Sequence, residues 1–298
     1  MAVRVVIGAG ATGAATARRL ADRGDRVRLI TRSGSGPDHA GVERVALDAS
    51  DTDALTPALT GATTVVNAAM TAYHTWPETL PPLFTAILTA TERAGADYVM
   101  LGNHYGYGPS TEPLTEGTPL TSRTRKGRVR AELWQQAKAA HDAGRLRVTE
   151  VRAGQYLGPG AISAFTLLVA PRVRAGELAL VHGNPDAAHA FSYTEDVAAA
   201  LVAVADDDRT WGRPWHAPVI TTTVRQAATE LAALHDAPEP RLDPLTERDL
   251  TLLSFSDPLW REFTELGYMT ERPFLVDDTD LRDTFGLTAS PLGAALVG

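Results

Sequence analysis

Val3-Arg4-Val5-Val6-Ile7-Gly8-Ala9-Gly10-Ala11-Thr12-Gly13 runs from a short β-branched segment straight into three spaced glycines. Residues 3–7 read as a buried strand, and a helical stretch follows over residues 14–23. A strand, G-x-G-x-x-G and a helix in that order form the context in which the spacing marks a dinucleotide site. Gly8 permits the tight turn, Gly10 lets the backbone approach a pyrophosphate, and Gly13 lets the helix pack on the strand. The helix N-terminus, with Ala11 and Thr12 in its turn, offers amides and a positive dipole end to the phosphates.

The second strand, residues 26–31, ends near the position that reads the adenosine ribose. NAD-binding chains place Asp or Glu there, about 20 residues after the glycines. Here the residues are Thr31-Arg32-Ser33, and the first acid is Asp38. An arginine fork pairs with a 2′-phosphate, which a carboxylate would repel. The expected cofactor is therefore NADP(H), with NAD(H) second.

Strands and helices alternate onward from this unit. Strands are expected at residues 43–47, 63–67, 97–101 and 145–152. Helices are expected at 51–59, at 83–94 after Pro81-Pro82, and at 126–143, where Val129, Leu133 and Ala137 share one face. This alternation predicts an α/β fold, a doubly wound parallel sheet of the Rossmann type with right-handed crossovers. After Gly154 the rhythm breaks into proline-rich stretches. The expected division is a nucleotide-binding domain over residues 1–155 with a return segment near 189–217. A smaller substrate-binding part takes residues 156–188 and 218–298.

With 298 residues the chain can bury a full core. It has no cysteine, which removes disulfides and thiolate metal sites and fits a reducing cytoplasm. A net charge of -8 argues against a partner held through nucleic-acid phosphates. No apolar run approaches the roughly 18 residues of a membrane span. The eight histidines show no ligand spacing, so no catalytic metal is expected. The partners expected are a small-molecule substrate and, as the assembly open to it, a second copy of the chain.

Five further segments carry a resemblance. Asn67-Ala68-Ala69 is a small-residue turn after a strand. Tyr107-Gly108 ends another. Asp48 follows the third strand, Arg152 to Gly160 reads Arg-Ala-Gly-Gln-Tyr-Leu-Gly-Pro-Gly, and Phe191 to Ala198 reads Phe-Ser-Tyr-Thr-Glu-Asp-Val-Ala. In this order, with the glycine turn, the chain resembles the NAD-dependent epimerase/dehydratase family, the extended short-chain dehydrogenases. Thr16 stands where a third glycine is usual. The resemblance implies that Asp48 lies near adenine and that Asn67, Ala68 and Ala69 line the nicotinamide side. It also implies that Tyr156 lies over the pocket.

The departures concern chemistry. Counting back from Tyr107-Gly108 puts the family's catalytic serine on Asn103. Counting back from Ala131-Glu132 puts its Tyr and Lys on Thr124 and Arg128. Lys126, two residues past Thr124 on a helix, points about 200° away from it. An aliphatic hydroxyl is not a usable acid near neutral pH, and Arg128 stays charged. Arg128 could hold the nicotinamide ribose or an anionic substrate group, and Asn103 could donate its amide to an oxyanion. Replacement acids are Tyr105 first and His74 second, with Tyr73, His104 and Tyr156 nearby. Three readings stay open: an NADP(H)-dependent oxidoreductase with a non-standard acid, a redox-neutral epimerase, dehydratase or cyclase, and a non-enzymatic NADP-binding regulator.

Overall fold

Alternate residues of the first strand face opposite cores, and this sets the layering. In β1 (Val3–Ile7), Val5 and Ile7 belong to one buried cluster and Val6 to the other. A strand buried on both faces is the mark of a parallel sheet sandwiched by helices. The computed structural model describes residues 3–297. The other strands are β2 (Arg26–Thr31), β3 (Val42–Ala46), β4 (Ala62–Asn67), β5 (Asp97–Asn103), β6 (Val148–Ala153), β7 (Gln155–Leu157), β8 (Leu178–Val181), β9 (Ala188–Tyr193), β10 (Pro214–His216), β11 (Ile220–Thr223) and β12 (Arg241–Pro244). Seven of them form the main sheet in the order β10-β6-β5-β4-β1-β2-β3, every pair parallel. The order reverses between β1 and β4, where open α/β sheets bind their ligands.

The helices are α1 (Ala11–Asp22), α2 (Thr52–Ala58), α3 (Trp76–Ala94), α4 (Arg125–Asp142), α5 (Ala170–Arg174), α6 (Thr194–Val204), α7 (Val224–Leu234), α8 (Glu247–Leu253), α9 (Tyr268–Glu271), α10 (Thr279–Phe285) and α11 (Leu292–Leu296). Leu55 of α2, Leu80, Phe84 and Ile87 of α3, and Val129 and Leu133 of α4 fill the core on one face of the sheet. Ala17 and Leu20 of α1 with Val197 and Leu201 of α6 fill the other. A smaller unit lies beside this sandwich. There β9 pairs antiparallel with β11 and parallel with β7, β8 pairs with β12, and Phe165, Val173, Phe191 and Leu231 share a third core. Among the described residues no helix is long and apolar enough to cross a membrane.

Two helices start earlier than the sequence predicts. α1 begins at Ala11, inside the glycine turn, because Gly10 is its N-cap. α3 begins at Trp76 and carries Pro81 and Pro82 within it. An interior proline costs about 3 kcal/mol. The buried stripe Trp76-Leu80-Phe84-Ile87 offsets it, since each large apolar side chain contributes about 1.5–3 kcal/mol on burial.

Candidate active site

The glycine turn has the shape its spacing implies. Gly8 holds φ +98°, and a Cβ there would stand 2.6 Å from the Ala68 carbonyl oxygen. A Cβ on Gly13 would stand 2.1 Å from the Gly8 carbonyl oxygen, so the helix packs this closely only because Gly13 has no side chain. At Gly10, which is exposed, a Cβ would meet nothing within 4 Å. No side chain caps α1, which leaves its first amides for a ligand. An open cradle at an uncapped helix N-terminus fits a diphosphate.

Arg32 and Ser33 are exposed just beyond β2, and Arg32 makes no hydrogen bond or ion pair among the described residues. Asp48 is exposed across from it. Hydrogen bonds from the Ser50 N–H (3.0 Å) and hydroxyl (2.7 Å) hold its carboxyl below the usual range, with Arg32 adding to the effect. Asn67 is placed differently from the expectation. It is fully buried, donates to the Tyr98 hydroxyl at 2.8 Å and accepts from the Ala69 N–H at 3.0 Å. Each end of its amide makes one bond inside the protein, so Asn67 shapes the Asn67-Ala68-Ala69 turn.

The largest correction concerns α4. Thr124 is its N-cap, and its hydroxyl accepts from the Gly127 N–H at 3.0 Å. A cap of this kind contributes about 1 kcal/mol and is not acid–base chemistry. Arg128 is exposed and its guanidinium turns back to the Arg123 carbonyl at 3.1 Å. The inward face instead carries Lys126 and Arg130, both buried, four residues apart on successive turns. Thr124 and Arg128 thus yield their expected places to Lys126 and Arg130. The signal was present in the sequence: Lys126 lies three residues before Val129 and Arg130 three before Leu133, the i, i+3 neighbours of the stripe Val129-Leu133-Ala137.

Arg130 donates to the Leu101 carbonyl oxygen at 3.4 Å and to Met70 Sδ at 3.2 Å, and stacks 4.6 Å from the Trp76 ring. Lys126 Nζ lies 4.6 Å from the centre of the Tyr73 ring and is paired with Glu262 and with Glu265, the latter at 3.0 Å. These two acids come from a 3₁₀ segment, Pro258–Leu266, that lies over the start of α4. Glu265 also accepts from the Lys126 backbone N–H at 2.9 Å. Neither acid has a local sequence signal, since each is more than 130 residues from Lys126, at separations of 136 and 139.

Asn103 closes β5. Its side-chain oxygen accepts from the Tyr105 N–H at 3.1 Å, and its amide nitrogen makes no hydrogen bond among the described residues. The Tyr73 hydroxyl donates to the Tyr105 hydroxyl at 3.3 Å. Burial pushes the Tyr105 phenol up, while the Tyr73 hydrogen bond and the Arg130 charge pull it down. Burial also raises Tyr156, again against Arg130. The cation beside these phenols is therefore Arg130. His74 is exposed in the 3₁₀ turn Tyr73–Thr75 and is not brought into this cluster. His104 turns into the protein, edge-on to His216 at 5.2 Å, and burial holds its pKa well below the ordinary value. Among the described residues no group of three metal-ligating side chains is present.

Behind the cluster, Arg152 and Glu150 of β6 form a buried ion pair at 2.7 Å. Burial raises the Glu150 carboxyl, against the pull of Arg152 and Arg130.

The sequence model of the NAD dependent epimerase/dehydratase family matches residues 5–215. Comparison with curated proteins finds no match. Among solved structures, the chain is similar to the enzyme WbmH of Bordetella bronchiseptica in complex with NAD+. Identity is 17%, with 99% of this chain and 96% of that one covered, at a TM-score of 0.76. An epimerase from the methanogen Methanothermobacter thermautotrophicus is 16% identical over 99% of this chain and 90% of its own, at a TM-score of 0.80. The dTDP-glucose 4,6-dehydratase of Bacillus anthracis in complex with NAD is 14% identical over 99% and 96%, at 0.78. At these identities the likeness shows the fold.

Proposed function

Because the chain belongs to the NAD dependent epimerase/dehydratase family, we propose that it is a nicotinamide-dinucleotide oxidoreductase that acts at a carbonyl or carbinol carbon of a small organic substrate, with NADP(H) preferred. The observation that carries this reading is the pairing of an open glycine cradle with an inward Lys126–Arg130 face beside the Tyr105 phenol. Gly8, Gly10, Ala11, Thr12, Gly13, Ala68 and Ala69 would hold the dinucleotide, with Arg32 and Asp48 at the adenosine end. A bound nicotinamide supplies or accepts a hydride. On this reading the substrate is met by residues 156–188 and 218–298, and the pairing of Glu262 and Glu265 with Lys126 supports a place for these two acids beside it.

Tyr105 takes the acid's part. Burial keeps the Tyr105 proton on at neutral pH and weakens it as a donor, while the Tyr73 hydrogen bond and the Arg130 charge work the other way and ease its transfer to an oxygen that gains charge. Tyr73 is within hydrogen-bond reach to resupply it. Arg130 provides a fixed positive charge, and Asn103 a free amide donor for the same oxygen. Tyr105→Phe removes only the hydroxyl. It should lower kcat roughly 10²-fold or more with nucleotide affinity unchanged; an unaltered kcat would take the role away from Tyr105.

The cofactor preference is read by titrating NADPH and NADH into wild type and Arg32→Glu. Wild type should favour NADPH, and the charge reversal should weaken NADPH binding at least about tenfold, as expected when one charge-assisted contact becomes repulsive. Equal affinity of wild type for the two nucleotides counts against the preference. A redox-neutral reaction, in which the nucleotide is regenerated within each turnover, is favoured by family membership and by the epimerases among the similar structures. Absorbance of the bound nucleotide after many turnovers separates the two, since only net redox changes it stoichiometrically.

A further inference from the structure

Lys126 has no exposed side-chain surface, and both of its carboxylate partners come from Pro258–Leu266. The two partners are held unequally. Glu265 is anchored twice, by the Lys126 N–H at 2.9 Å and by Nζ at 3.0 Å, and its charge also suits the N-terminus of α4. Glu262 is held to α4 only through Nζ. Beneath them Tyr73 and Tyr105 share a hydrogen bond, and Arg130 already has its guanidinium on the Leu101 carbonyl and Met70 Sδ.

A desolvated ammonium needs an anion. Lys126 keeps Glu265, so a substrate that reaches Tyr105 past this segment displaces only the singly held Glu262, and the vacated side of the ammonium suits an anion of the substrate. We propose that the substrate carries a compact carboxylate next to its reacting carbon, and that this carboxylate exchanges with Glu262 on Lys126. Glu262 is then a stand-in that fills the anion position between turnovers. The exchange is one monoanion for another and leaves the charge of the site unchanged. A phosphate dianion fits less well, because Lys126 already holds Glu265 and a second negative charge would add to the anionic excess around its single ammonium. The inference rests on the reading of the Tyr105–Arg130 face given above.

The test uses the full chain saturated with NADPH and follows tryptophan fluorescence. Trp260 packs 5.4 Å from Phe263 in the covering segment, and Trp76 lies 6.0 Å from Tyr105. Pyruvate, inorganic phosphate and the neutral ketone 2-butanone are titrated in turn. Pyruvate should give a saturable change, phosphate should bind at least about tenfold more weakly, and 2-butanone should give none. Glu262→Gln removes the competing charge and should bind pyruvate more tightly than wild type. Lys126→Met should lose at least about 30-fold, the weaker end of losses when one partner of a buried charge pair is removed. Should Lys126→Met fail to fold, Glu262→Gln decides. Equal responses to pyruvate and butanone, stronger binding of phosphate, or pyruvate affinity unmoved by Glu262→Gln would overturn the inference. Absence of NADPH binding would instead sink the functional reading itself, so the two failures are distinct.

Discussion

Gly10→Val is expected to leave the protein folded and to abolish nucleotide binding. Gly10 has φ −64° and ψ 176°, a conformation that any residue can adopt. It is exposed, and the space before it is empty to 4 Å. The isopropyl group therefore meets no steric clash, and stability should fall by no more than about 1 kcal/mol, the cost of a β-branched residue in place of Gly at a helix N-cap. The same empty space is where a diphosphate must approach the uncapped amides of α1. Losing one or two charge-assisted hydrogen bonds there should weaken binding about 100-fold or more. Gly13 provides the contrast, because its Cβ would collide with the Gly8 carbonyl oxygen at 2.1 Å and the damage would be to the fold. Fluorescence titration with NADPH beside thermal unfolding measures both effects. A folded Gly10→Val protein with wild-type affinity would remove the phosphate-binding assignment.

Arg152→Met is expected to cause the largest loss of stability. Arg152 Nε donates to Glu150 at 2.7 Å, and Nη1 donates to the Tyr107 hydroxyl at 2.6 Å. Tyr107 can then donate to His216 Nε2 at 2.6 Å, which leaves the proton on Nδ1 to bond the Asp277 carbonyl at 2.7 Å. Burial lowers the His216 pKa to about 4, so the neutral ring that this chain of bonds requires is the form present at pH 7. Met retains the length of the arginine stem and removes the charge. Glu150 is then left buried without its nearest partner, its carboxylate packed into the space over Gly102 that a side chain there would need. Breaking a buried pair on one side costs about 3–5 kcal/mol, a large part of the roughly 5–15 kcal/mol that holds a domain folded. Urea unfolding of Arg152→Met and of the double variant Glu150→Gln/Arg152→Met tests this. The double variant should recover much of the loss. A single variant within about 1 kcal/mol of wild type would mean that Arg130 alone neutralises Glu150.

What could be read in the sequence was what local spacing determines. The strand, the three glycines and the alternation of elements specify the sheet and its cradle, because each depends on neighbours within a dozen residues. The site was legible only in part, and the misses share a cause. Thr124 and Arg128 came from counting back from Ala131-Glu132, and a motif count carries no information on which helix face looks inward. The buried stripe Val129-Leu133-Ala137 does carry it, and it leads to Lys126 and Arg130. Asn67 was assigned to the cofactor because its actual partner, Tyr98, lies one strand away. Glu262 and Glu265 could not be paired with Lys126 from the sequence, since nothing short of the folded chain brings the 258–266 segment to α4. His74 had the right chemistry and the right loop, but its side chain leaves the turn toward solvent while the neighbouring Tyr73 enters the cluster.

The central claim is that the inner face of α4, with Arg130 in place of Arg128, supplies the fixed charge beside the Tyr105 phenol. Turnover by Arg130→Met and Arg128→Met at saturating nucleotide tests it most directly. Arg130→Met should lower kcat at least about tenfold while Arg128→Met stays within about twofold of wild type, the difference between removing a buried charge beside the reacting oxygen and a solvated one. The reverse ranking, or equal losses in the two, would contradict the account.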